Sequence, residues 1–293
     1  MFVALASFSE GRRAQVVGAI VEAAEARGAR ALDVVNDPDA NRSVVTLAAA
    51  GQELLDALVE AARAARTAID LNVHRGTHPR AGATDLVLVS PVEPADLAAA
   101  VALAHRLGEE IFRRLGIPVY FCEAAARRPE RRDPAAPGRG QFEGLLSHVA
   151  DPGREPDVGP ARLHPTAGVT TVGARALRVT LRVRLATGER ALGRAVARGV
   201  RQATTGLATV ELAPNPGEDT LGLVLEVEDP TRLLDAFAAT QREAKAHGVG
   251  VRGSEFVGLV PLFALASVAA QVLGLRSFTD GQVLERRIWG EKP

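Results

Sequence analysis

Along the first 120 residues the spacing of apolar positions changes several times, and each change predicts an element. Residues 2 to 7, apolar except for Ser7, predict a strand. In "SEGRRAQVVGAIVEAAEARG", Val16, Val17, Ile20, Val21 and Ala24 recur on one helical face until Gly28 ends it. "ARALDVVN" and "RSVVTLAAA" predict two strands joined by the turn-rich "NDPDAN". "QELLDALVEAARAARTAIDL" returns to the helical period and "TDLVLVSPV" to a strand. A helix from Pro94 to Leu115, with its proline tolerated in the first turn, and the strand "IPVYF" complete this half.

The second half repeats the order. "ALRVTLRVRLA", "LATVELA", "TLGLVLEVE" and "RGSEFVGLV" predict strands; "ERALGRAVARGVRQA", "PTRLLDAFAATQREAKAHG" and "PLFALASVAAQVLG" predict helices. Both halves therefore spell βαββαβ with a helix appended. That order predicts an α+β protein of two ferredoxin-like subdomains, each with its helices on one sheet face and a cleft between the two. The repeat is one of pattern, not of letters. The boundaries are read as 1–172 and 173–293, with the proline-rich stretch 127–172 counted in the first subdomain as a linker, lid or binding loop.

Composition narrows the class without choosing a function. A chain of 293 residues suits two modest domains, and 47% hydrophobic residues describe an ordinary globular protein. Charges balance at 35 basic and 35 acidic, so no polyanionic partner is implied. The apolar run from Phe256, "FVGLVPLFALASVAAQVLGL", is broken by Pro261 and Ser267 and divides into a strand end and a helix; no membrane span is expected. The lone Cys122 excludes an intrachain disulfide and is expected as a buried thiol in a reducing, cytoplasmic setting.

Chemistry concentrates in "RGTHPRAGATD" at 75–85. Pro79 pushes His78 toward extended backbone, with Arg75, Arg80 and Asp85 close in sequence. This is either an imidazole poised beside anion-binding groups or a loop histidine with no task. His74 and His78 have the spacing of a helical zinc pair, but Gly76 and Pro79 oppose a helix there, and no metal site is expected. A second feature is the strand from Leu177 to Leu185, which alternates apolar residues with Arg178, Thr180, Arg182 and Arg184. It predicts a core face backed by a row of cations, which is either a solvated surface or a cleft for a ligand with several carboxylates. The strand has no aromatic side chains for stacking bases, so nucleic acid is not expected. The glycine motifs, "GRGQFEGL" among them, have neither Walker nor dinucleotide spacing, and no GxSxG elbow occurs.

Taken together, "FSEG" at 8–11, "NR" at 41–42, "GTHPRAGATD" at 76–85, "PDVGP" at 156–160, "VGAR" at 172–175 and "GSEFVGLVP" at 253–261 resemble the glutamate formiminotransferase family, in that family's order. The resemblance implies transfer of a formimino group from N-formiminoglutamate to tetrahydrofolate as co-substrate, chemistry belonging to histidine degradation and one-carbon metabolism. It covers the formiminotransferase half of formiminotransferase-cyclodeaminase, and no cyclodeaminase half is expected in these 293 residues. It matches His78 to the catalytic histidine. Asn41, Arg42 and Arg80 match motif positions, and the two arginines are read as carboxylate holders. Gly159, Pro160, Arg162, His164 and Gly168 fall in the segment that contacts folate, and Gly206 matches a further folate contact. Arg178, Arg182 and Arg184 would line the cleft and favour a ligand richer in negative charge, such as a polyglutamylated folate. A homodimer is left open.

The chain also departs from the family pattern. Ser7 stands for an asparagine, Val35 for a carboxylate, Thr77 for a glutamate, Ala81 for a methionine, Ala167 for an aromatic residue, and Arg182 and Arg184 for asparagines. The alternative is a diverged paralogue that binds an anionic small molecule without formimino transfer.

Overall fold

In the computed structural model, which describes residues 1–92, 96–136, 138–215, 217–276, 278–279 and 282–283, contacts divide the chain into two units, Met1–Ala176 and Leu177–Pro293. The first unit runs β1 (Phe2–Phe8), α1 (Ala14–Glu25), β2 (Arg30–Asp37), β3 (Arg42–Ala49), α2 (Gly51–Ala68), β4 (Thr84–Pro91), α3 (Leu97–Leu115), β5 (Val119–Glu123), α4 (Gln141–His148) and β6 (Thr170–Ala174). Pro94, expected to open the third helix, lies outside the described residues. The six strands are ordered β2-β3-β1-β4-β6-β5.

Alternation decides which side of this sheet is core. Ala4, Ala6 and Phe8 of β1, Val45 and Leu47 of β3, and Val87 and Val89 of β4 are buried in one cluster with Leu54, Leu58 and Ala62 of α2 and Leu103, Leu107 and Ile111 of α3. Each fully buried leucine or isoleucine contributes about 1.5–3 kcal/mol over leaving it in water. Cys122 of β5 is also buried, and burial pushes its thiol up, which keeps it protonated.

The pattern did not announce β6. It pairs in parallel with both β4 and β5, and all five of its residues are buried. "TTVGA" is too short to show a period and is covered on both faces, so the alternation that marks a half-buried strand is missing.

Strand directions gather the connecting segments at one end of the sheet. β1 is antiparallel to β3 and β4, so Phe8 at its end faces Ser43 and Thr84 near their starts. Asp37 ends β2 opposite Arg42, and Thr170 starts β6 beside Val119 at the start of β5. The segments after β1, between β2 and β3, before β4 and before β6 therefore share this end.

The second unit runs β7 (Val179–Leu185), α5 (Arg190–Ala203), β8 (Leu207–Pro214), β9 (Leu221–Val227), α6 (Leu233–Ala246), β10 (Val251–Val257) and α7 (Leu262–Leu273). Its sheet, β10-β7-β9-β8, is antiparallel throughout. Strands two, three, one and four of the unit are neighbours in that order, the same arrangement as β2-β3-β1-β4. The chain is thus a mixed α+β protein with two sheets. Among the described residues no helix is long and apolar enough to cross a membrane.

Candidate functional site

At the shared end of the first sheet, three loops are tied together by side chains of the sequence motifs. Glu10 is 2% exposed and accepts backbone N–H bonds from Arg12 and Arg13, each 2.9 Å, and one from Arg13 Nε at 2.5 Å. Burial would raise its pKa, but the N–H bonds from Arg13 and Arg12 and the Arg13 guanidinium outweigh it and hold the carboxyl below its ordinary value. Asn41 adopts a left-handed φ of 50°, which asparagine tolerates well. Its Oδ1 accepts from Gly11 N–H and its Nδ2 donates to the Arg75 carbonyl, both at 3.0 Å. Thr77 N–H donates to the Asp39 carbonyl at 3.1 Å. Gly76 is required here, because a Cβ would run into the Ala40 carbonyl.

Behind these loops lies a buried relay. Arg80 is 8% exposed and its Nε donates to His74 Nδ1 at 3.3 Å. Because Nδ1 accepts, the imidazole carries its proton on Nε2 and donates to the Asn41 carbonyl at 3.0 Å. Burial, with the Arg80 cation, lowers the proton affinity of His74 despite that carbonyl. The Arg80 fork is already filled, since Nη1 and Nη2 donate to Glu143 Oε2 and Oε1, both at 2.6 Å. These bonds pull the Glu143 carboxyl to about 2. Nη1 also reaches Gln141 Oε1 at 3.2 Å. Phe142 N–H donates to the Arg80 carbonyl at 2.9 Å, and Phe142 and Leu145 are buried in the core. The irregular stretch thus contains a helix clamped onto the histidine loop. Arg80, expected to hold a ligand carboxylate, holds one from the chain itself.

His78 sits closer to solvent, half-buried, at a tight recess that is also lined by Ser7, Arg42 and Asp85. Arg42 Nε donates to Ser7 Oγ at 2.5 Å. Asp85 Oδ1 accepts from the N–H groups of Ala81 at 2.7 Å and Gly82 at 3.0 Å. Burial and the Arg42 cation lower the proton affinity of His78, while Asp85 and Asp37 oppose them. Burial raises the Asp85 carboxyl against the pull of the Ala81 and Gly82 N–H groups, Arg42 and His78.

The segment before β6 packs against this same loop. Ala83 N–H donates to the Ala167 carbonyl at 2.9 Å and Val169 N–H to the Ala81 carbonyl at 3.0 Å, flanking a bridge between Gly82 and Gly168. A Cβ on Gly82 would strike the Val169 carbonyl. His164 Nδ1 accepts from Thr166 N–H at 3.3 Å and Ala167 N–H at 3.0 Å, so its proton is on Nε2. Burial, then Arg66, lowers its proton affinity. Gly159, Pro160 and Arg162 are exposed, and Gly159 lies against the Phe112 ring. The structure therefore brings Asn41, Arg42, His78 and Arg80 together, with His164 and Gly168 on the adjoining turn.

Gly206 and the β7 arginines belong to the second unit. Gly206, at φ 80°, accepts from Glu228 N–H at 2.9 Å in the turn before β8. β7 buries Val179, Leu181, Val183 and Leu185, as its alternation predicts. Its other face is a matched ladder and not an uncompensated row of cations. Arg178 pairs with Glu226 and Glu228, Arg182 with Glu255 at 3.5 Å, and Arg184 with Glu218 at 2.7 Å and Glu255 at 2.9 Å. The glutamates come from β9, β10 and their flanking turns, so one-strand alternation could not reveal them.

Residues 1–175 match the family model described as the formiminotransferase domain, N-terminal subdomain. The chain belongs to the formiminotransferase family. It is 34% identical over 290 residues to glutamate formimidoyltransferase of Streptococcus pyogenes serotype M1, covering 97% of each chain. With the glutamate formimidoyltransferase of Thermoplasma acidophilum it shares 35% identity over 289 residues, 96% of this chain and 95% of the other. It is 33% identical over 281 residues to the formimidoyltransferase-cyclodeaminase of Sus scrofa, covering 90% of this chain and 51% of the longer protein. Family membership makes the chain a glutamate formimidoyltransferase-like transferase. Within this formiminotransferase the sequence motifs divide by task, since "SEG", Asn41 and Gly76 tie backbone together while His78, Arg42 and Asp85 face the recess. Glu143 and Gln141 are not legible in "GRGQFEGL", because Glu143, three residues past Gly140, carries no local hint of its partner Arg80.

Proposed function

We propose that the chain transfers the formimino group of N-formiminoglutamate to N5 of tetrahydrofolate, with His78 as the general acid/base. One observation carries the assignment. Of the two histidines in the recess, His74 has both ring nitrogens engaged, whereas no hydrogen bond to a described residue occupies either ring nitrogen of the half-buried His78. An imidazole with lowered proton affinity is neutral at pH 7 and ready to accept.

The reaction needs one proton removed and one delivered. The N5 lone pair attacks the amidine carbon and forms the new C–N bond; His78 takes the N5 proton and becomes imidazolium. It then protonates the glutamate nitrogen, the old C–N bond breaks, and glutamate leaves with the electron pair and proton. Arg42 is the cation at the recess best placed to meet a substrate carboxylate, because Arg80 is occupied by Glu143. The turn from His164 to Gly168 is read as part of the folate contact, supported by its bridge to the His78 loop. Gly159, Pro160 and Arg162 would extend that contact along exposed backbone. Each unit, with its 2-3-1-4 strand arrangement, is read as ferredoxin-like.

Uncharged Val35 and Thr77 favour a second reading, in which folate or another anion binds without transfer. A transfer assay with formiminoglutamate and tetrahydrofolate, run beside thermal-shift titrations with each, separates the two. Product formation supports the first; stabilisation without product supports the second. Neither product nor stabilisation removes both.

A further inference from the structure

We propose that Asp85 is the positioning residue of this site: it fixes the loop that carries His78 and supplies the negative charge against which the imidazole and Arg42 are set. The proposal rests on the reading of His78 as the proton carrier. Asp85 sits where the register between β1 and β4 slips, since Ser7 faces Leu86 but Phe8 faces Thr84. A bulge of this kind takes one residue out of the ladder and re-aims its side chain. Here the side chain turns to the recess shared with His78, Arg42 and Ser7. One carboxylate oxygen is spent on the N–H groups of Ala81 and Gly82, directly after the His78-Pro79-Arg80 run. The loop is thus held by the residue whose charge its histidine meets.

Three charged groups act on His78, Arg42 of β3, Asp37 of β2 and Asp85 of β4. Asp37 is exposed and caps the turn, accepting from Asp39 and Ala40 N–H. Thr77 and Val35 carry no charge. Asp85 is therefore the inner carboxylate opposing Arg42. Burial raises its carboxyl while the Ala81 and Gly82 N–H groups and Arg42 favour its ionised form, and in that form it would favour the imidazolium produced when His78 takes a proton from the attacking nitrogen.

The test is an NMR titration of the full chain with labelled histidine, in which the His78 signal is assigned by its loss in His78→Asn. Asp85→Asn keeps an oxygen for the two loop N–H groups and removes the charge. The His78 pKa should fall by about one unit in Asp85→Asn, the size expected for losing one nearby opposite charge. The acid limb of the kcat/KM profile should move down with it. An unchanged His78 titration in a folded Asp85→Asn variant overturns the proposal, because a purely structural aspartate would not move it. Should that variant fail to fold, the Asp85 carboxyl carbon of the labelled wild-type chain is followed instead. It should shift in step with His78, and independence of the two signals overturns the proposal equally. Full turnover in His78→Asn would sink the assigned role of His78 while leaving the measured coupling intact, so the two failures are distinguishable.

Discussion

Arg80 in the first unit and Arg182 in the second are both arginines beside glutamates, yet their surroundings differ. Arg80 is 8% exposed, gives two 2.6 Å bonds to one carboxylate and shares its Nε with a buried imidazole. Arg182 is 20% exposed and meets Glu255 at 3.5 Å on a sheet face where Glu255 also serves Arg184. The first arrangement is specific, because each donor has a fixed partner and leaving one unmade in the interior is costly. The second is a partly solvated ladder in which partners can be exchanged at little cost. Arginine in a sequence thus carries no information about how tightly its charge is matched.

The sharpest way to break the comparison is at the loop that Arg80 braces. His78→Asn is expected to keep the fold and lower turnover by at least about a hundredfold. Steady-state kinetics with formiminoglutamate and tetrahydrofolate, with circular dichroism as the folding control, decide it. Normal turnover would reduce the first unit's cluster to scaffolding.

Next in size is the staple. Asn41→Ala leaves the Gly11 N–H without its acceptor and removes the polar side chain that makes left-handed φ tolerable there; a loss of about 2 kcal/mol is expected. Urea unfolding should show it as a lower midpoint. A neutral result would mean that the three loops are held elsewhere.

A pH series sharpens the contrast further. His74, His78 and His164 all have lowered proton affinities, with burial the leading cause in each. Below about pH 6.5 the unfolded chain therefore binds more protons than the folded one. Stability should be full above that value and fall as pH drops below it, by at most about 1.4 kcal/mol per pH unit for each histidine. Replacing His74 with Gln should reduce that slope. A flat profile between pH 5 and 7 would show that these imidazoles are not held neutral.

The smallest effect is expected on the second unit's ladder. Arg182→Gln should alter stability by less than about 1 kcal/mol, an effect that salt diminishes. A loss as large as that of Asn41→Ala would contradict the distinction between the two regions. The same matched charges argue against a strong preference for longer polyglutamate tails. Affinity rising steeply with each added glutamate would show that the ladder opens for ligand.

Much of this protein was determined by its sequence, for reasons of local periodicity. The 3.6 and 2.0 spacings give the βαββαβ order twice, and the alternation of Val179, Leu181, Val183 and Leu185 gives the core face of β7. Motif order carries the family, and Pro79 restricts the backbone of His78. Tertiary structure alone decided the rest, because it depended on partners far away in the chain. β6 became a strand by pairing with β4 and β5, not by any pattern of its own. Glu143 found Arg80 across 63 residues, and Gly168 met Gly82 across more than eighty. Asn41, expected at the ligand, also staples the loops, because its two amide atoms are satisfied by Gly11 and Arg75. A sequence shows which side chains can bond; only the closed sheet fixes which of them have already done so.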